Sequence, residues 1–131
     1  MVKILICDDQ VFEVWPMFSS IFSIMGHQIS GAETPEEALR DLQTSRYQCV
    51  FLDLQTLSVR DTFIRDAYDY PAKFRELQPD IVVIGYSAQP GKYLREARGH
   101  FDEVVNKLGL FIDDNGECAR KLEELLKKHG I

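Results

Sequence analysis

The chain has 131 residues, 45% hydrophobic and 27% charged, with a formal net charge of −6. That is the size and balance of a single globular domain over 1–131, and it argues against a nucleic-acid surface or an acidic membrane surface as direct partner. No stretch approaches the roughly 18 apolar residues of a membrane span, and the short apolar start meets Asp8 where a signal peptide would need a small-residue cleavage site. Cys7, Cys49 and Cys118 have no paired or metal-like spacing, which suggests reduced thiols and a cytoplasmic setting.

Residues 2–7 read as a first strand, apolar apart from Lys3, that ends in Asp8-Asp9. Residues 10–25 carry helical apolar spacing up to Gly26, a natural terminator. Pro16 interrupts them, so regular helix is expected only from about Trp15, after an irregular lead-in. Residues 27–32 form a second, weaker strand. Thr34-Pro35-Glu36-Glu37 then announces a helix: Thr34 caps, Pro35 suits the first position, and Glu37 completes a capping box. Ala38, Leu39 and Leu42 are its inner stripe, and it ends near Ser45.

Cys49-Val50-Phe51-Leu52 is an unbroken apolar run that stops at Asp53. Such a run reads as a strand buried on both faces, typical of a parallel sheet covered by helices. Asp53 is open to two readings at this point, a turn-forming or capping carboxylate and a reactive or metal-binding one. After a polar loop over 55–60, a helix is expected over 61–77 with a kink or break near Tyr70, because Pro71 lies in its middle. Residues 81–86 form a fourth strand followed by Ser87-Ala88. A short helix over 89–98 ends at Gly99, and a fifth strand over 101–106 ends in Lys107. A loop through Asp113-Asp114-Asn115 leads to a last helix that carries Leu122, Leu125 and Leu126, runs to His129 and closes at Gly130.

Five strands alternating with five helices mean an α/β fold: a parallel sheet, doubly wound, with the flavodoxin-like order 2-1-3-4-5. In that order strands one, three, four and five are neighbours. Their C-terminal ends bring Asp8, Asp9, Asp53, Ser87 and Lys107 to one edge. Three carboxylates in one cleft repel one another unless a cation joins them, and oxygen ligands suit Mg²⁺. With a hydroxyl and an ammonium beside them, the set suits phosphoryl transfer. Asp53 would be the nucleophile, Ser87 a donor to a phosphoryl oxygen, and Lys107 the partner of Asp53 at rest and of the phosphoryl group in transfer.

The acidic pair Asp8-Asp9, Asp53 within Phe-Leu-Asp-Leu, Ser87-Ala88 and Lys107, in this order on five-strand spacing, resemble the response-regulator receiver domains of two-component signalling over nearly the whole chain. The resemblance implies that Asp53 accepts a phosphoryl group from a histidine kinase or phosphotransfer protein. It implies that Asp8, Asp9, Asp53 and the backbone carbonyl of Gln55 bind Mg²⁺. Ser87 would be the switch hydroxyl and Lys107 the family's lysine. It further implies a stand-alone switch that catalyses only its own phosphorylation and dephosphorylation, and that controls a downstream protein through its fourth helix, fifth strand and fifth helix. The chain departs from the family in a longer segment from Asp53 to Ser87, in Pro16 of its first helix, and at three motif positions. Thr56-Leu57 stands where Met-Pro is usual, Leu108 follows Lys107 in place of proline, and Val104 replaces a switch aromatic, with Phe101 the nearest ring in that strand. These departures motivate the alternative of a receiver-like interaction module that signals without phosphorylation.

Overall fold

A computed structural model of the chain describes residues 2–54, 69–87, 99–106 and 117–131. Five strands, β1 (Lys3–Cys7), β2 (Gln28–Ala32), β3 (Cys49–Asp53), β4 (Val82–Ser87) and β5 (Glu103–Asn106), form one sheet in the order β2-β1-β3-β4-β5. Every pairing is parallel. Among the described residues four helices are placed: α1 (Val11–Ile24), α2 (Pro35–Thr44), α3 (Tyr70–Leu77) and α4 (Glu117–Lys128). The helix expected over 89–98 lies outside the described residues.

The unalternating strands are buried on both faces, and their side chains divide by parity. Leu5, Cys7, Val50, Leu52 and Val83 point to one side, where they pack with Ala38 and Leu42 of α2 and Phe74 of α3. Ile4, Ile6, Cys49, Phe51, Ile84 and Tyr86 point to the other, against Phe18 and Phe22 of α1 and Leu122, Leu125 and Leu126 of α4. A period of two along each strand thus feeds two cores, which is what double winding requires. Cys7 and Cys49 are buried free thiols within these cores.

The first helix corrects the sequence expectation. It starts at Val11, not near Trp15, and Pro16 lies inside it. Val11, Val14, Phe18 and Phe22 make one buried stripe that begins ahead of the proline. Burying each large side chain is worth about 1.5–3 kcal/mol. Pro16 removes from the helix ladder the N–H that would reach back to Phe12, a residue that is 79% exposed. At its other end α1 closes in a Schellman motif. Gly26 takes a φ of 81°, its N–H donates to Ser23 and the His27 N–H donates to Phe22. Gly130 repeats the arrangement after α4, with a φ of 80° and the Ile131 N–H donating to Leu126.

Helix α2 begins as its sequence announces, with Thr34 Oγ1 accepting from the Glu37 N–H at 3.1 Å. The reciprocal bond reaches one residue further back than a capping box: Glu37 Oε2 accepts from the Glu33 N–H at 2.9 Å. Helix α3 begins at Tyr70, with Pro71 in its first turn, where the missing N–H costs nothing. The expected break near Tyr70 is therefore a helix start on its C-terminal side, and residues 61–68 lie outside the described residues. The Tyr70 hydroxyl ties α3 to α2 by donating to Glu36 Oε1.

Candidate functional site

The C-terminal ends of β1, β3 and β4 meet because the sheet order makes them neighbours. Cys7 is in register with Leu52, and Asp53 with Tyr86. The residues that follow Cys7 and those that end β3 and β4 therefore share one edge. Asp8, Asp9 and Asp53 converge there, with one ligand oxygen from each lying within 4.8 Å of the others. Asp8 is 0% exposed, Asp53 1% and Ser87 0%, whereas Asp9 faces solvent.

Two of these carboxylates are thus held out of water. Burying a carboxylate is costly unless hydrogen bonds or an opposite charge compensate. For Asp8 the compensation is visible. Its Oδ1 accepts from the Gln10 backbone N–H at 2.8 Å, and its Oδ2 accepts from the Tyr86 hydroxyl at 2.6 Å. Its own backbone is anchored too, since the Asp8 N–H donates to Ala32 and the Val11 N–H donates to the Asp8 carbonyl, which opens α1. The strand end, the acidic turn and the helix start form one fixed unit.

The negative field of the site is felt by its neighbours. Burial, reinforced by Asp8 and Asp53, pushes the Cys7 thiol well above its ordinary range. Burial and then Asp8 do the same to the Tyr86 phenol, with a smaller push from Asp53. Both groups therefore stay protonated at neutral pH, Tyr86 as a hydrogen-bond donor and Cys7 as an inert core thiol.

The donor set fits a hard divalent cation. All three ligands are carboxylate oxygens, one of them open to solvent for entry. Ligands about 2.1 Å from Mg²⁺ lie at most about 4.2 Å apart, so sub-ångström shifts close the observed spread.

Of the residues singled out by the sequence, Asp8, Asp9, Asp53 and Ser87 fall at this edge. Gln55 and Lys107 lie outside the described residues, as do Thr56, Leu57 and Leu108. Lys107 follows directly on Asn106, which is in register with Ser87. Val104 is in register with Gly85 and half-buried. Phe101 is buried, and it lies so close to Gly85 that a Cβ there would meet its ring at 3.2 Å and Leu54 at 3.1 Å. The residue that sequence reasoning missed is Tyr86. The available signal was a phenol in a strand otherwise apolar on both faces, one step before its end, where the hydroxyl must find a buried partner.

No family model matches the sequence, and no curated protein matches it. Solved structures do. A response-regulator receiver domain from Methylobacillus flagellatus is 22% identical, with a TM-score of 0.75 and 98% of each chain covered. The response regulator TrrA of Thermotoga maritima, solved with Mg²⁺-BeF, is 23% identical, with a TM-score of 0.73 over 98% of this chain and 99% of that one. A chain from the complex of TrrA with the histidine kinase ThkA is 24% identical, with a TM-score of 0.73 and full coverage of both chains. The chain has the CheY-like receiver-domain fold over nearly its whole length.

Proposed function

We propose that the chain is a phosphoacceptor signalling switch in which Asp53 receives a phosphoryl group with the help of Mg²⁺. The observation that carries this reading is the convergence of Asp8, Asp9 and Asp53 at the sheet edge beside the buried Ser87. The Mg²⁺-BeF complex of TrrA and the ThkA–TrrA assembly support it by likeness.

Asp8, Asp9 and Asp53 would hold the cation, together with the backbone carbonyl of Gln55. When bound, it would neutralise charge on the acidic cluster and on an incoming phosphoryl group. An Asp53 oxygen attacks phosphorus as the bond to the donor breaks, giving an acyl phosphate and releasing the donor's leaving group. From a phosphohistidine the leaving group is the imidazole, so a histidine kinase or phosphotransfer protein is the proposed donor. Such a transfer needs positioning and charge stabilisation more than covalent help. Burial of Asp53 and Ser87 provides the first, because neither side chain is free to wander in a packed strand end. The Ser87 hydroxyl donates to a phosphoryl oxygen, and Lys107 pairs with the others.

The chain would catalyse only its own phosphorylation and dephosphorylation. It acts as one receiver unit in the cytoplasm, and the charge added at Asp53 shifts a two-state equilibrium that a downstream protein reads. Incubation with acetyl phosphate and Mg²⁺ should add the mass of one phosphate to the intact chain and nothing to Asp53→Asn. Failure of the unaltered chain beside a working receiver would favour the interaction module that signals without phosphorylation.

A further inference from the structure

Nothing in the acidic pattern of the sequence marks Tyr86, yet its side chain is the bridge between the core and the acidic centre. The ring is 0% exposed and held by edge-on contacts, 5.9 Å from Phe18 of α1 and 6.4 Å from Phe51 of β3. Phe18 itself packs against Phe22 and Phe51. A phenol has few torsions, and here the packing fixes them, so the hydroxyl is delivered to one point. That point is Oδ2 of Asp8, 2.6 Å away and 78 residues distant in sequence. The Gln10 N–H holds the other oxygen at 2.8 Å. With a hydrogen bond to each oxygen, both the position and the rotation of the carboxylate are set.

We propose that Tyr86 is a positioning residue of the acidic centre, holding the Asp8 carboxylate in the orientation in which it meets a divalent cation together with Asp9 and Asp53. The proposal rests on the reading that this centre takes such a cation. A donor that is neutral suits the task. Lysine or arginine in its place would pair with Asp8 and compete with the metal for its charge, whereas a phenol orients the carboxylate and leaves its charge in the site. Groups that hydrogen-bond a ligating carboxylate from outside commonly govern metal affinity, and their loss costs about ten- to a hundredfold. Tyr86 also ties this orientation to α1, since the ring that carries the hydroxyl leans on Phe18.

The test is Mg²⁺ titration of the unaltered chain and of Tyr86→Phe by calorimetry, with a thermal unfolding curve of each without metal. Phenylalanine keeps the ring packing and removes only the hydroxyl. The expected result is a Kd for Mg²⁺ raised about tenfold in the variant. A lowered melting temperature with an unchanged Kd would assign the hydroxyl a purely structural role and overturn the proposal, as would tighter binding. No Mg²⁺ binding by the unaltered chain would overturn this proposal and the functional reading together, which separates that failure from the first. Should Tyr86→Phe not fold, the Tyr86 hydroxyl proton of the unaltered chain serves instead. Its resonance is expected to shift on Mg²⁺ addition with the midpoint of the binding curve, and a resonance that does not move would count against the proposal.

Discussion

Asp53 and Ser87 end neighbouring parallel strands one step out of register, because Asp53 is paired with Tyr86 and Ser87 stands one residue beyond. Ser87 thereby stands one residue closer than Tyr86 to the sheet edge at which Asp8, Asp9 and Asp53 meet. Both side chains are buried, and in the proposed switch Ser87 is the hydroxyl that meets a phosphoryl group on Asp53. We expect Ser87→Ala to accept phosphate at Asp53 but to show smaller amide chemical-shift changes in β4 and β5 on phosphorylation. Equal shift changes in variant and unaltered chain would remove Ser87 from the switch.

Cation binding should appear as stability. A ligand that binds only the folded chain stabilises it by about 2.7 kcal/mol at a hundred times Kd. Mg²⁺ at that excess should raise the melting temperature of the unaltered chain by several degrees. Asp8→Asn and Asp53→Asn, each lacking one carboxylate of the cluster, should lose most of the rise. Differential scanning calorimetry with and without Mg²⁺ checks this.

The start of β5 is held to β4 by Asp102, whose Oδ2 accepts from the Val83 backbone N–H at 2.7 Å and from Arg75 at 3.0 Å. The ion pair is about one-third exposed on both sides and Arg75 also donates to the His100 carbonyl at 2.9 Å, so with solvent screening Arg75→Ala should cost about 1 kcal/mol. Asp102→Ala also leaves the Val83 N–H without its carboxylate and should cost about 1–3 kcal/mol. Urea unfolding midpoints of the two variants are expected to fall in that order.

Glu103 links β5 to the end of α4. Burial acts to raise its pKa, but hydrogen bonds from His129 at 2.7 Å and Lys128 at 3.0 Å outweigh that and lower it. A carboxylate with a depressed folded pKa contributes stability that is present above its unfolded pKa of about 4.3 and lost as pH falls through the folded one. Glu103→Gln should therefore be less stable than the unaltered chain at neutral pH. The gap should narrow as pH is lowered below about 4.3, as followed by denaturant midpoints across pH.

Much of this architecture is legible in the chain because its signals are local. The apolar runs that stop at Asp53 and Ser87, glycines after α1 and α4, and Thr34-Pro35 before α2 each specify their own element. The strand order then follows from topology, and with it the meeting of Asp8, Asp9 and Asp53. The departures arise where a tertiary effect outweighs a local rule. Pro16 reads as a helix breaker, but the buried stripe that begins at Val11 carries the helix through it. Tyr86 reads as strand filling, and only the pairing of β3 with β4 shows that its hydroxyl reaches a carboxylate at the end of β1. Contacts of that kind join positions remote in sequence, and no periodicity encodes them.

The proposed function has Asp53 become an acyl phosphate. It is tested most directly by treating the chain with acetyl phosphate and Mg²⁺, reducing it with borohydride and mapping the peptides by mass. Homoserine is expected at position 53, absent when Mg²⁺ is withheld. An unmodified Asp53, or label at any other carboxylate, would contradict it.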